Sequence, residues 1–198
     1  MPTPFLLNGI LASQISGHLY SGPAGAFDAL GSVTVGSGGQ SSITFSAIPQ
    51  TYTHLQLRYI GQSNRTAYPL DETHIQFNGD TGANYAQHAL YGNGASAAAT
   101  NVTSGTDIEL GYGFLGDTSS NVFGVGVLDI LDYTNANKNK VIRFLGGIDM
   151  NGTISSYGGR VGISSGLWLN TSSISSFKLF SPNGNFNQYS NFSLYGIR

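Results

Sequence analysis

The stretch "HIQFNGDTGANYAQH" (residues 74–88) decides how this chain is read. It carries a histidine at each end and one acidic residue, Asp80, in its middle. Either it is a metal or catalytic centre, or it is two strands joined by an elaborate turn. Asn78-Gly79 is a strong hairpin signal, because both residue types tolerate positive φ. Asp80 can cap that turn with its own carboxylate, and Gly82 and Asn84 extend the bend. Ahead of the turn, Ile75 and Phe77 alternate with His74 and Gln76, the two-residue period of a half-buried strand. Metal ligation favours closely spaced histidines on one element, whereas His74 and His88 flank the whole bend. Every residue therefore has a part in shaping backbone, and the stretch predicts a hairpin.

The same alternation recurs outward from it. In "SSITFSAIP" Ile43 and Phe45 point one way and Ser42, Thr44 and Ser46 the other; in "HLQLRYI" Leu55, Leu57 and Tyr59 share one face and His54, Gln56 and Arg58 the opposite one. "NVFGVGVLDIL" (121–131) is apolar on both faces, as expected for a strand in the middle of a sandwich. "KVIRFLGGI" (140–148) follows the polar turn "DYTNANKN", so the two runs predict a long hairpin. "GLWLN", "SISSFKLF" and "NFSLYGIR" supply three further strands, and Gly/Asn clusters punctuate the chain. No helical period of useful length is present. About eight to ten strands with turn signals at these intervals predict an all-β fold, a jelly-roll-like antiparallel β-sandwich. We place that domain at 32–198. Residues 1–31 carry apolar side chains without a strand pattern and read as an extended N-terminal arm. Residues 93–106, "NGASAAATNVTSGT", read as a long exposed loop.

Composition narrows the function classes. The 198 residues include no cysteine, so disulfides and thiolate metal sites are excluded. Only 9% of residues are charged, against the usual ~25%, and the net charge is −2. Eight Lys and Arg spread along the chain make no patch dense enough for a nucleic-acid backbone. Gly, Ser, Thr and Asn make up 83 of the 198 residues, which implies surfaces rich in hydroxyl and amide groups and poor in charge. No apolar run approaches the ~18 residues of a membrane-spanning helix. The opening "MPTPFLLNGILASQISGHLYSG" has no basic region before its apolar run and reads as a docking arm, not a signal peptide.

Several constellations invite a chemical reading, and each has a plainer one. His54, His74 and His88 could converge with Asp71 and Glu72 as a His-carboxylate site; the plainer reading is a solvated or subunit-facing polar row. Asp107 with Glu109, or Asp129 with Asp132, could serve as glycosidase carboxylates, which stand ~5 to 9 Å apart across a cleft. Alternating carboxylates on an exposed strand are ordinary, however, and no aromatic groove is recognisable beside them. "GYGFLG" (111–116) lacks the following helix that a phosphate loop needs. Asn-x-Ser/Thr sequons at Asn64, Asn101, Asn151, Asn170 and Asn191 are what chance gives in so Asn- and Ser-rich a chain. Trp168 and Tyr157 could stack on sugar rings, or fill a core or interface as aromatics commonly do in sandwiches. No residue is therefore expected to be catalytic or to bind a cofactor or metal.

At "ITFSAIPQTYTHLQLRYIGQSNRT" (43–66) and "IQFNGDTGANYAQHAL" (75–90) the sequence resembles a group of small β-sandwich virion structural proteins of tailed bacteriophages, notably marine and cyanobacterial ones. The closing "FSLYGIR" is similar to the last strand of that group. The likeness spans about a third of the chain and rests on fold-shaping residues. It implies a non-enzymatic subunit without cofactor, located in the virion and assembled in the host cytoplasm. The expected role is a capsid decoration or cement protein, a homotrimer that binds the major capsid protein or other virion proteins, without nucleic acid or membrane. Phe5, Leu6, Leu7, Ile10 and Leu11 of the arm are the expected docking residues. The alternative is a tail-fibre or receptor-binding sandwich that recognises host glycans through Trp168 and Tyr157.

Overall fold

The computed structural model describes residues 26–66, 68, 70–111, 115–116, 121–150 and 159–198. The strands, in chain order, are β1 (Phe27–Thr34), β2 (Ser42–Phe45), β3 (His54–Gly61), β4 (Leu70–Asp71), β5 (His74–Phe77), β6 (Tyr85–Gly92), β7 (Ala97–Gly105), β8 (Ile108–Glu109), β9 (Leu115–Gly116), β10 (Gly124–Leu131), β11 (Lys140–Asp149), β12 (Gly159–Trp168), β13 (Phe177–Phe180) and β14 (Asn191–Ile197). No helix occurs among the described residues. An eight-stranded sheet has the order β1-β14-β3-β10-β11-β12-β6-β7, and a four-stranded sheet the order β2-β13-β5-β8. A short ribbon, β4-β9, completes the set. All pairings are antiparallel. The protein is an all-β antiparallel sandwich, as the sequence predicts.

One core fills the space between the two sheets. Leu55, Leu57, Leu128, Ile130, Ile142, Phe144 and Trp168 enter it from the large sheet, and Ile43, Ile75, Phe77, Phe177 and Leu179 from the small one. These are the apolar positions of the two-residue alternation, so pattern and burial agree. Ring contacts knit the layers: Trp168 lies 5.6 Å from Phe77 and 6.4 Å from Tyr85, centroid to centroid. At mid-sheet, Gly126 pairs with Gly146 across β10 and β11. Their missing side chains make room for Phe144, which stacks on Tyr59 at 6.1 Å.

Three sequence expectations change. β1 begins at Phe27, opposite Ile197 of β14, so residues 27–31 belong to the sheet and not to an arm. Residues 1–25, with Phe5, Leu6, Leu7, Ile10 and Leu11, lie outside the described residues, as does Tyr157. The segment expected as a long loop instead forms β7, an edge strand paired with β6. Its side chains are exposed almost throughout, so it has no buried face to produce an alternating pattern. Third, β10 is apolar on both faces but only one of them is covered: Leu128 and Ile130 are buried while Val125 and Leu131 are exposed.

The glycine pair yields a stability test. A Cβ on Gly126 would stand 2.5 Å from Phe144 Cε2 and 2.6 Å from Tyr59 Cε1, both on buried rings. Gly126→Ala is expected to lower stability by about 1–3 kcal/mol. Gly147→Ala, whose closest contact would be the Arg160 carbonyl at 3.4 Å, should stay within about 0.5 kcal/mol of the parent. Chemical denaturation of both variants measures the difference.

Candidate functional site

The opening stretch is a turn that anchors the core. Asn78 and Gly79 have φ of 50° and 71°, the left-handed pair that a tight hairpin turn requires. Asn78 extends that role beyond its own hairpin: its amide donates to Ser173 O, and its carbonyl accepts from the Ser175 and Ser176 amides. The Asp80 carboxylate accepts from Trp168 Nε1 at 2.7 Å, from the Gly82 amide at 2.8 Å and from Asn84 Nδ2. These donors, the indole foremost, hold its carboxyl below the usual range. Trp168 is only 1% exposed, between Tyr85 and Phe77. Its ring faces are core surface, which removes it from the sugar-stacking role considered above.

The histidines do not converge. His54 accepts the Asp132 amide at 3.0 Å on its Nδ1, at one end of β3. His88 is exposed on β6, opposite Ser165 of β12. His74 lies on the small sheet, and β8 with the residue before it brings two distant acidic residues to it: Glu109 is its direct cross-strand partner, and Asp107 Oδ1 lies 2.6 Å from its Nδ1. Glu72 Oε2 is 3.5 Å from its Nε2. Burial disfavours the imidazolium, but the hydrogen bond to Asp107 and the Glu72 carboxylate beside Nε2, aided by the charges of Asp107 and Glu109, outweigh it; the His74 pKa is pushed up to about 9. Burial pushes the Glu109 carboxyl up, and the Glu72 charge adds to it. Burial opposes ionisation of Asp107 too, yet His74 draws its pKa below the usual value.

The other carboxylates considered above have structural partners. Asp129 accepts from Arg143 Nη2 at 2.6 Å and from Gln56 Nε2 at 2.8 Å, and Asp132 pairs with Lys138. Asp71, buried beside the small sheet, accepts from Ser181 Oγ at 2.7 Å and Asn183 Nδ2 at 3.0 Å.

The largest unexplained feature is the outer face of the eight-stranded sheet. Its register aligns rows of outward side chains across the strands. One row runs Leu90–Ile163–Leu145–Val127 and the next Val161–Gly147–Val125–Ile60. A third, beyond a polar row, joins Leu167, Val141 and Leu131. Val161 is 61% exposed, Leu145 54% and Ile163 53%, far above what a β-sheet covered on both sides would show. The intervening polar row, His88–Ser165–Arg143–Asp129–Gln56, carries the Arg143–Asp129 ion pair. A shallow depression of about 760 Å³ lies over these rows, lined by Leu90, Leu145, Ile163 and Arg143 among others. Sequence periodicity does signal this face, in the two-sided apolarity of 121–131.

His74 gives the site a pH signature. Its pKa is raised on folding, from about 6.5 to about 9, so its contribution is complete below pH ~6.5 and is lost as pH rises through ~9. With a chelator present, stability is expected to fall by on the order of 2 kcal/mol across that window, and His74→Gln should flatten the fall. Urea midpoints between pH 6 and 10 provide the measurement. In comparisons with known proteins, no family profile matches the chain, and no curated protein does.

Proposed function

We propose that this chain is a non-enzymatic virion structural protein of a tailed bacteriophage, a head decoration or cement subunit that binds the major capsid protein and acts as a homotrimer. The observation that carries the reading is the outer face of the large sheet. Monomeric soluble proteins seldom expose a contiguous apolar patch beyond a few hundred Å². The apolar rows cross five of the eight strands, β6, β12, β11, β10 and β3, about 4.8 Å apart, and span about six residues, a face of about 500 Å². That is more than half of the ~800 Å² per partner of a stable interface. Its apolar rows, interrupted by one satisfied polar row, match the composition of interface cores, where uncompensated charge is depleted.

Two further features support assembly. The chain has 9% charged residues, so close packing in an array desolvates few ions. The resemblance of 43–66 and 75–90 to virion sandwiches points the same way. In this reading the apolar residues near the N-terminus, Phe5 to Leu11, dock against a neighbouring subunit or the capsid.

The face and the arm are separately testable. Leu145→Lys combined with Ile163→Lys places two ammonium groups on exposed positions, so the monomer should keep its fold. The oligomer seen by sedimentation velocity should dissociate, and binding to capsids should fall at least about tenfold. Retention of the parental sedimentation coefficient and capsid binding would refute use of this face. Deleting residues 1–20 should leave a folded sandwich that no longer attaches to particles in co-sedimentation.

A further inference from the structure

We propose that Glu72, His74 and Glu109 form a binding site for a divalent transition-metal ion of the zinc type, with Asp107 orienting the histidine. The site is independent of the assembly reading, since it lies on the small sheet. Two short motifs build it. Glu72-Thr73-His74 leads into β5, Asp107 leads into β8 (Ile108–Glu109), and the antiparallel register sets His74 opposite Glu109. Residues two apart on a strand share a face, so the pairing gathers all four side chains.

The geometry fits ligation. Glu72, His74 and Glu109 each bring one ligand atom within 4.8 Å of the others. Glu72 Oε2 and His74 Nε2 are 3.5 Å apart, near the edge of about 3.4 Å for a tetrahedron with metal bonds of about 2.1 Å. The second imidazole nitrogen, Nδ1, is already held by Asp107 at 2.6 Å. That carboxylate–histidine contact fixes the tautomer with its proton on Nδ1 and leaves Nε2 to the metal.

An independent observation points to a ligand. His74 Nε2 and Glu109 Oε1 are both shielded from solvent and make no hydrogen bond. Buried polar atoms without a partner are uncommon and call for a missing one. Three carboxylates also crowd one imidazole. A dication joined to Nε2 and to one oxygen each of Glu72 and Glu109 satisfies the orphaned atoms and cancels the repulsion. The mixed nitrogen and oxygen donors suit Zn²⁺, whereas Ca²⁺ takes six or more oxygens. On binding, the Nε2 proton leaves to solvent and the Nε2 lone pair forms the metal bond. The ion would lock β8, a two-residue strand, to β5. Gln87 of β6, hydrogen-bonded to the Glu109 carboxylate and backbone, would carry that restraint to the large sheet.

The test uses the full chain, stripped with EDTA and titrated with ZnCl₂ by calorimetry and thermal unfolding. One saturable site with a dissociation constant below about 10 µM is expected, with a rise in Tm and a heat that varies with buffer ionisation as one released proton requires. Glu109→Gln, an isosteric change, and Asp107→Asn should each weaken binding by at least about tenfold while the far-ultraviolet circular dichroism stays parental. His88→Ala, on the other sheet, should bind as the parent does. Co²⁺ in place of Zn²⁺ should show tetrahedral visible bands that Glu109→Gln loses. No saturable Zn²⁺ binding, or binding undiminished in both Glu109→Gln and His74→Ala, overturns the proposal.

Discussion

Two sheets of unequal width must share one core, and much of this structure follows from that mismatch. Eight strands stand on one side and four on the other. The inner face of the large sheet is covered because large aromatics span the gap: Phe144, Trp168, Tyr85 and Phe192 meet Phe77, Phe177 and Phe186 in one cluster. Burying such rings supplies most of the driving force for folding. No layer among the described residues covers the opposite face, yet its aliphatic rows are of the kind found in a core. The chain thus spends apolar side chains on a surface that its own folding does not bury.

The sequence made some of this visible. The Asn78-Gly79 turn was legible because few other arrangements need two adjacent residues that accept positive φ. The β10–β11 hairpin was legible because its two apolar runs flank an Asn-rich turn, and the inward residues of β3 and β5 because polar and apolar residues alternate cleanly there. β7 was hidden, since small and hydroxylated residues exposed on both faces carry no period. The start of β1 was hidden for a related reason: "FDALG" has no alternation, and its place is set by pairing with the last strand of the chain.

The acidic cluster at His74 shows a different limit. Each of its halves is an ordinary strand motif with a carboxylate two residues from another polar group. Only the β5–β8 register turns two unremarkable motifs into one constellation, and a register between segments 33 residues apart is not encoded locally. Trp168 illustrates the converse. Its residue type suggested a binding platform, but Phe77 and Tyr85 enclose the ring and Asp80 accepts its indole N–H at the rim of the core.

The uncharged edge strand β7 bears on how copies can join. Nothing in "AAATNVTSG" guards it: there is no lysine, proline or inward charge of the kind that blocks edge-to-edge addition. The other rim, β1, has a single acidic residue, Asp28, already neutralised by Arg198. Two copies meeting β7 to β7 would be related by a dyad and would stop at a pair. A β7 rim meeting a β1 rim leaves a fresh β7 at the far end, and such growth ends only when the sheet's twist closes a ring.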